Sequence, residues 1–199
     1  KDGVVSQLGK GVRALVTKKG VTCLEGIARI VGGERIEIAE GKSAGSYSAK
    51  EIIIATGSKP VELPFLPYDG QHIVHSDHGI AFDEVPKKMA VIGAGAIGME
   101  LGCVWSRLGA DVEIIEFLPE ICPQLDPEMS KVARKIFEKQ GLTFRLSTKV
   151  TAAKIATGKA TLTVEGKDVT DKLTVDRVLV AVGRGPCTDG LGLEEAGIS

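Results

Sequence analysis

The 199-residue chain has no apolar run approaching the ~18 residues that a membrane-crossing helix needs. It also lacks a bias of charge. Its 25 basic and 26 acidic side chains leave a formal net charge of −1, which provides no bulk drive towards nucleic acid or anionic lipid. Neither nucleic acid nor membrane is expected as a partner. Cysteine is scarce: Cys23, Cys103, Cys122 and Cys187 are too few for a disulfide scaffold, and no two lie close in the sequence. Four reduced thiols are expected, with Cys23 and Cys103 as core fillers and Cys122 and Cys187 in loops. No basic segment leads into an apolar one near Lys1, so no signal peptide is read there. No internal repeat or low-complexity tract is found. The chain opens on lysine and ends without an obvious stop after residue 190, so an internal piece of a longer chain is expected.

What is present is ordinary globular composition, 43% apolar and 26% charged, with 25 glycines. Val4, Val5, Leu8, Val12, Leu15 and Val16 recur at helical spacing, and the helix should end near Lys18-Lys19-Gly20. Residues 21–30 and 34–39 read as strands, 40–48 as an exposed loop, and 50–55, with Ile52-Ile53-Ile54, as a strand buried on both faces. Residues 57–86 are dense in glycine and proline and read as an inter-domain linker, with one short helix around 79–82. From Lys88 the pattern alternates: strand 89–92, helix 96–108, strand 111–117, helix 127–140, strand 143–147. Alternation of this kind predicts a parallel sheet covered by helices. Residues 150–176 suggest a small antiparallel meander, and 178–182 return as a buried strand.

The sharpest signal is Gly93-Ala94-Gly95-Ala96-Ile97-Gly98, placed directly after a strand and opening a helix. Gly93 permits the tight turn, Gly95 lets a pyrophosphate approach the backbone, and Gly98 lets the helix pack close to the strand. The helix N-terminus supplies free N–H groups and partial positive charge. The motif alone is weak, but its context strengthens it. The next strand ends near Glu116, where a carboxylate accepts hydrogen bonds from the adenosine ribose and repels a 2′-phosphate. No Arg or Lys lies between Glu116 and Lys131 to receive such a phosphate, so NAD is expected over NADP. Glu100, in the same helix as the loop, has two readings. It is a favourable charge near a helix start, or a carboxylate at the nicotinamide end of the cofactor.

Five pieces occur in order: Ile53-Ile54-Ala55-Thr56-Gly57-Ser58-Lys59-Pro60, the glycine loop, the helix containing Met99-Glu100 and Trp105-Ser106-Arg107-Leu108-Gly109, the strand to Glu116, and Val182-Gly183-Arg184-Gly185-Pro186. Over essentially the whole chain this order resembles the FAD-dependent pyridine nucleotide–disulfide oxidoreductases, and more narrowly their dihydrolipoamide dehydrogenase branch. The resemblance implies an α/β fold: a Rossmann-like NAD-binding domain with a parallel sheet and a small antiparallel meander, joined to a truncated FAD-binding domain. Residues 1–84 would be partial FAD domain and linker, 85–187 the NAD domain, and 188–199 the start of a return into the FAD domain. Gly26, Thr56, Gly57 and Ser58 would lie along FAD, although their residues alone suggest plain turn chemistry. Gly93, Ala94, Gly95, Ala96, Ile97, Gly98, Met99, Glu100, Glu116, Val150 and Gly183 would line NAD, with Arg184 near the junction of the two cofactors.

The family's FAD phosphate loop and its redox-active Cys-x-x-x-x-Cys would lie before this chain, and its catalytic histidine after it. No catalytic residue is therefore assigned here, and the piece is expected to be inactive alone. His72, His75 and His78 are spaced by three, but in a loop without a second ligand cluster, so no metal is expected. Ala96 stands where some relatives carry a gating tyrosine, which fits the lipoamide branch. The parent would oxidise dihydrolipoamide of the 2-oxo acid dehydrogenase complexes and pass hydride through FAD to NAD. It would act as a homodimer, in the cytoplasm or the mitochondrial matrix. Two alternatives remain open: an NADH oxidase or other disulfide reductase of the same superfamily, and a non-catalytic NAD-binding module.

Overall fold

The computed structural model describes residues 1–167 and 169–198. Asp168, inside the expected meander, and Ser199, at the end of the expected return segment, lie outside the described residues. The chain divides into two compact units, residues 1–56 with 187–199, and residues 57–186.

The first unit opens with α1 (Asp2–Lys18), as the apolar spacing predicts. Its stripe of Val4, Val5, Leu8, Val12 and Leu15 is exposed, and none of its residues is buried. An antiparallel sheet follows, in the order β1 (Ile27–Ile30), β2 (Arg35–Glu40), β3 (Gly45–Ser48). Ile30 and Ile38 are its buried side chains. The Ile30 N–H donates to the Leu191 carbonyl at 2.8 Å, and Arg29 pairs with Glu195, so the chain's last segment is tied to β1.

Three expectations change here. Only 27–30 of the expected strand 21–30 is a strand, and Cys23 is exposed rather than a core filler. Residues 45–48, read as loop, form β3. Their side chains are polar, and what makes them a strand is the backbone ladder to β2 (Ile36 with Tyr47, Glu37 with Ser46). Residues 52–54 form no strand, and Ile53 is 91% exposed. Apolar character does not make a strand without a neighbour to pair its N–H and C=O groups.

The second unit holds the remaining elements. They are β4 (Ser58–Pro60), β5 (Ile73–Val74), α2 (Ser76–Gly79), β6 (Lys88–Ile92), α3 (Ala96–Arg107) and β7 (Asp111–Ile115). They continue with α4 (Pro127–Lys139), β8 (Thr143–Arg145), β9 (Lys149–Ala156), β10 (Lys159–Glu165), β11 (Thr170–Val175), β12 (Arg177–Val180) and β13 (Arg184–Pro186). A five-stranded sheet runs β5-β12-β6-β7-β8, all parallel. The antiparallel meander β9–β10–β11 forms as expected, and β4 pairs with β13 as a short ribbon. The stretch read as a linker thus contributes β4, β5 and α2 to this unit, and the short helix sits at 76–79 rather than 79–82.

Alternation along the central strands builds two cores. Ala90, Ile92, Ile115, Val178 and Val180 pack with Val150, Leu162 and Val164 of the meander. Met89, Val91, Val112, Ile114 and Leu179 pack on the other face with Met99 and Trp105 of α3. Both faces of the sheet are therefore covered, as a parallel sheet requires. The Trp105 indole N–H donates to the Gly79 carbonyl at 2.7 Å, which fixes α2 against α3. On α4, the Asp126 carboxylate caps the first turn by accepting from the Glu128 N–H at 2.9 Å.

Asp176 joins the turn before β12 to the start of β6. Its N–H donates to the Lys88 carbonyl at 3.0 Å, and its carboxylate accepts from the Lys88 N–H at 2.8 Å. That backbone bond, helped by Lys159, holds its carboxyl below the ordinary 3.8. A carboxyl depressed on folding contributes stability above its unfolded pKa, and loses it as pH falls through the folded value. Replacing it (Asp176→Asn) is therefore expected to destabilise the second unit by about 1 kcal/mol at neutral pH. The gap should close as pH drops below 3.8. Urea unfolding followed by the fluorescence of Trp105, the sole tryptophan, measures this; a pH-independent gap would remove the charge from the account.

Candidate functional site

The sheet order places the ends of β12, β6 and β7 side by side, so the segments leaving them form one crevice at the carboxyl edge. Gly93 leaves β6 with φ +102°, and a Cβ there would stand 2.5 Å from the Ala181 carbonyl oxygen. A Cβ on Gly98 would lie 2.0 Å from the Gly93 oxygen, so the start of α3 can approach the loop only at glycine. Gly95 differs from both. A Cβ there would meet nothing within 4 Å, because the residue faces open space. The first N–H groups of the 12-residue α3, whose N-cap is Gly95, have no partner within the helix.

The cavity is about 880 Å3 in volume, within the usual range for a small-molecule site. Gly93, Gly95, Ala96, Ile97, Glu116, Val150 and Gly183, all expected from the sequence, line it. Four others of the expected set do not. Ala94, Gly98 and Met99 are buried behind the loop, and Glu100 is an exposed residue of α3. Glu100 is the fifth residue of α3, past a first turn that holds no acidic residue.

Glu116 is buried, and its carboxylate is bonded on both oxygens. Oε2 accepts from the Ala94 N–H at 2.7 Å and Oε1 from the Leu118 N–H at 2.8 Å. The acid thus ties the glycine loop to the segment after β7. Each oxygen keeps a further lone pair for an incoming hydroxyl. Cys122 lies close by with φ +46°, and its N–H donates to the Ala94 carbonyl at 2.8 Å. Burial pushes its thiol pKa up and the Glu116 charge adds to the rise, so the thiol stays protonated.

The sequence reading missed the apolar lip made by Leu63, Phe65, Phe117 and Leu125. Phe117 follows the acid directly and was findable; Leu63 and Phe65 come from the supposed linker and carried no signal. It also missed Lys149. The window 117–130 does lack Arg and Lys, but β8 carries the chain back so that Lys149 reaches the same wall.

The four residues assigned to FAD fall in both units. In the first, a Cβ on Gly26 would lie 2.0 Å from the Glu40 oxygen, and the Thr56 hydroxyl donates to the Cys187 carbonyl at 2.6 Å. In the second, Gly57 has φ +77°, and Ser58 receives the Arg184 guanidinium, whose Nε lies 2.7 Å from Oγ. Arg184 also donates to the Ser58 carbonyl and, at 3.4 Å, to the Ser76 hydroxyl. His75 lies against His78 with ring centroids 4.2 Å apart and planes tilted by 56°; burial lowers its pKa, and His78 lowers it further. Among the described residues no group of three or more His, Cys, Asp or Glu is arranged to hold a metal ion.

Residues 3–199 match the family model described as pyridine nucleotide-disulphide oxidoreductase. Among curated proteins, the chain is 43% identical to dihydrolipoyl dehydrogenase 3 of Pseudomonas aeruginosa, matching 100% of this chain and 43% of that protein. It is also 43% identical to the mitochondrial dihydrolipoyl dehydrogenase of Dictyostelium discoideum, covering 42% of it. The chain therefore spans less than half the length of these relatives. Among solved structures, LpdA from Mycobacterium tuberculosis superposes with a TM-score of 0.88 at 22% identity, over 99% of this chain and 44% of that one. The Cu(II) complex of a C43S mutant of the HOCl-induced flavoprotein disulfide reductase RclA from Escherichia coli gives 0.86 at 24%, over 100% and 44%. These two likenesses concern the fold. A parallel sheet with the glycine loop and its acid at the carboxyl edge, and a family match over residues 3–199, make this chain a member of the pyridine nucleotide-disulphide oxidoreductase family.

Proposed function

We propose that the second unit is an NAD-binding platform, and that the whole protein is a flavoprotein dihydrolipoyl dehydrogenase. The observation that carries the reading is the open space at Gly95, bounded by the start of α3 on one side and the Glu116 carboxylate on the other. A pyrophosphate fits over Gly95 against the helix N–H groups. The ribose hydroxyls fit against Glu116, and the adenine has the apolar lip of Phe117 and Leu125. NAD would supply the hydride acceptor; the residues of this chain bind, orient and shield it.

The proposed domain assignment takes residues 1–84 as partial FAD domain and linker, 85–187 as NAD domain and 188–199 as a return, with the linker residues 57–84 packed into the second unit. Gly26, Thr56, Gly57 and Ser58 would lie along FAD. In the parent, a dithiol on lipoamide of a 2-oxo acid dehydrogenase complex is oxidised, and its electrons pass through FAD to NAD within a homodimer. The names of the curated relatives support the substrate class, and the Dictyostelium relative is named mitochondrial. No helix among the described residues is long and apolar enough to cross a membrane. A cytoplasmic or matrix enzyme fits this. Another disulfide reductase of the same family is the second reading, since the family match over residues 3–199 is common to its branches.

The test is a calorimetric titration of the chain with NADH and then NADPH. Saturable NADH binding with NADPH markedly weaker is expected; no binding of either by folded chain would overturn the reading. Two variants sharpen it. Gly95→Ala places a methyl in the open space, so it should leave thermal stability unchanged and weaken NADH about tenfold or more. Glu116→Ala removes a charged acceptor and orphans two N–H groups. It should weaken NADH about tenfold to a hundredfold, narrow the gap to NADPH, and lower stability by ~1–3 kcal/mol.

A further inference from the structure

Three charged side chains line the cavity: Glu116, Lys149 and Arg184. The two cations belong to different sides of it. Arg184 follows β12, which neighbours β6 on the side away from β7. Lys149 opens β9 on the Glu116 side, where the preceding residue, Thr148, donates its N–H to the Glu116 carbonyl at 2.9 Å. Arg184 is engaged by Ser58 and Ser76.

Lys149 is engaged as well. Its Nζ lies 3.1 Å from Glu165 Oε2, directly across the β9–β10 ladder. Glu165 is held from a second direction, since the Thr151 hydroxyl donates to its other oxygen at 3.2 Å. The Lys149 bond, and then the Thr151 bond, keep the Glu165 carboxyl below the usual carboxylate range, so Glu165 holds Lys149 as a carboxylate at physiological pH. Glu165 itself does not line the cavity.

We infer that Glu165 is a positioning residue for nucleotide choice. By holding Lys149, it leaves the Glu116 side of the cavity, among the described residues, without an uncommitted cation, and so disfavours a phosphate on the adenosine 2′ position. The inference rests on the nucleotide reading of this cavity. It divides the preference for the unphosphorylated cofactor between a repelling acid, Glu116, and a restrained base, Lys149.

The experiment titrates the full chain, Glu165→Gln and Glu165→Gln/Lys149→Met with NADH and with NADPH at low ionic strength. Glutamine preserves the acceptor for Thr151 while removing the charge that holds Lys149. NADPH affinity is expected to rise about threefold to fivefold in Glu165→Gln, the factor that an exposed ion pair is able to withhold. NADH affinity should not change, because it carries no 2′-phosphate. The gain should vanish in the double variant and shrink in ~1 M salt, where charges are screened over ~3 Å. An unchanged NADPH to NADH ratio in Glu165→Gln, or a gain that survives Lys149→Met, would overturn the inference while NADH binding remains intact. Failure of the unmodified chain to bind NADH would instead overturn the nucleotide reading, and this inference with it.

Discussion

The site depends on how closely α3 starts over the loop that leaves β6. A Cβ at Gly98 would sit 2.0 Å from the Gly93 oxygen, and one at Gly93 would sit 2.5 Å from the Ala181 oxygen. Two hydrogen atoms in place of side chains therefore let a strand, a loop and a helix meet at backbone distance. That contact turns the N-terminus of α3 towards the carboxyl edge of the sheet. It also leaves Gly95, free of close neighbours, at the floor of the cavity.

Glu116 stabilises this arrangement from the other side. A buried carboxylate would be costly if unpaired. Here it accepts two backbone N–H groups, one from the glycine loop and one from the segment after β7. The same side chain therefore orders the walls of the cavity and offers charge to a ligand inside it. Its field reaches Cys122, whose thiol it helps keep protonated beside the loop. The meander adds a third wall. Glu113 of β7 pairs with Arg145 of β8, which pairs in turn with Asp171 of β11 at 2.8 Å, so the sheet and meander are joined by charge as well as by apolar packing.

Much of the second unit was legible. The boundaries of α3 and α4 fall within a residue of those expected, because glycine and proline punctuate their ends. The glycine loop was legible because its constraint is local: each glycine answers a clash within the strand–turn–helix unit. Elements formed mainly by pairing were not. β3 is polar, β13 is Arg-Gly-Pro, and β5 is two residues inside a stretch that reads as linker. Each exists because a partner strand accepts its backbone. Residues 52–54 fail for the reverse reason: an apolar run with no ladder stays outside the sheets.

The division at the site has the same origin. Sequence by itself determined the loop, the acid 23 positions after Gly93, and the alternation that makes a parallel sheet, since these are set by neighbours along the chain. Tertiary structure alone decided which of the expected residues reach the cavity and which others join them there. It set Met99 and Gly98 behind the loop, Glu100 out on the helix, and Phe65, Lys149 and Arg184 on the lining. Those positions depend on the order of strands across the sheet, β5-β12-β6-β7-β8, in which segments far apart in sequence end side by side. No periodicity along the chain encodes that order.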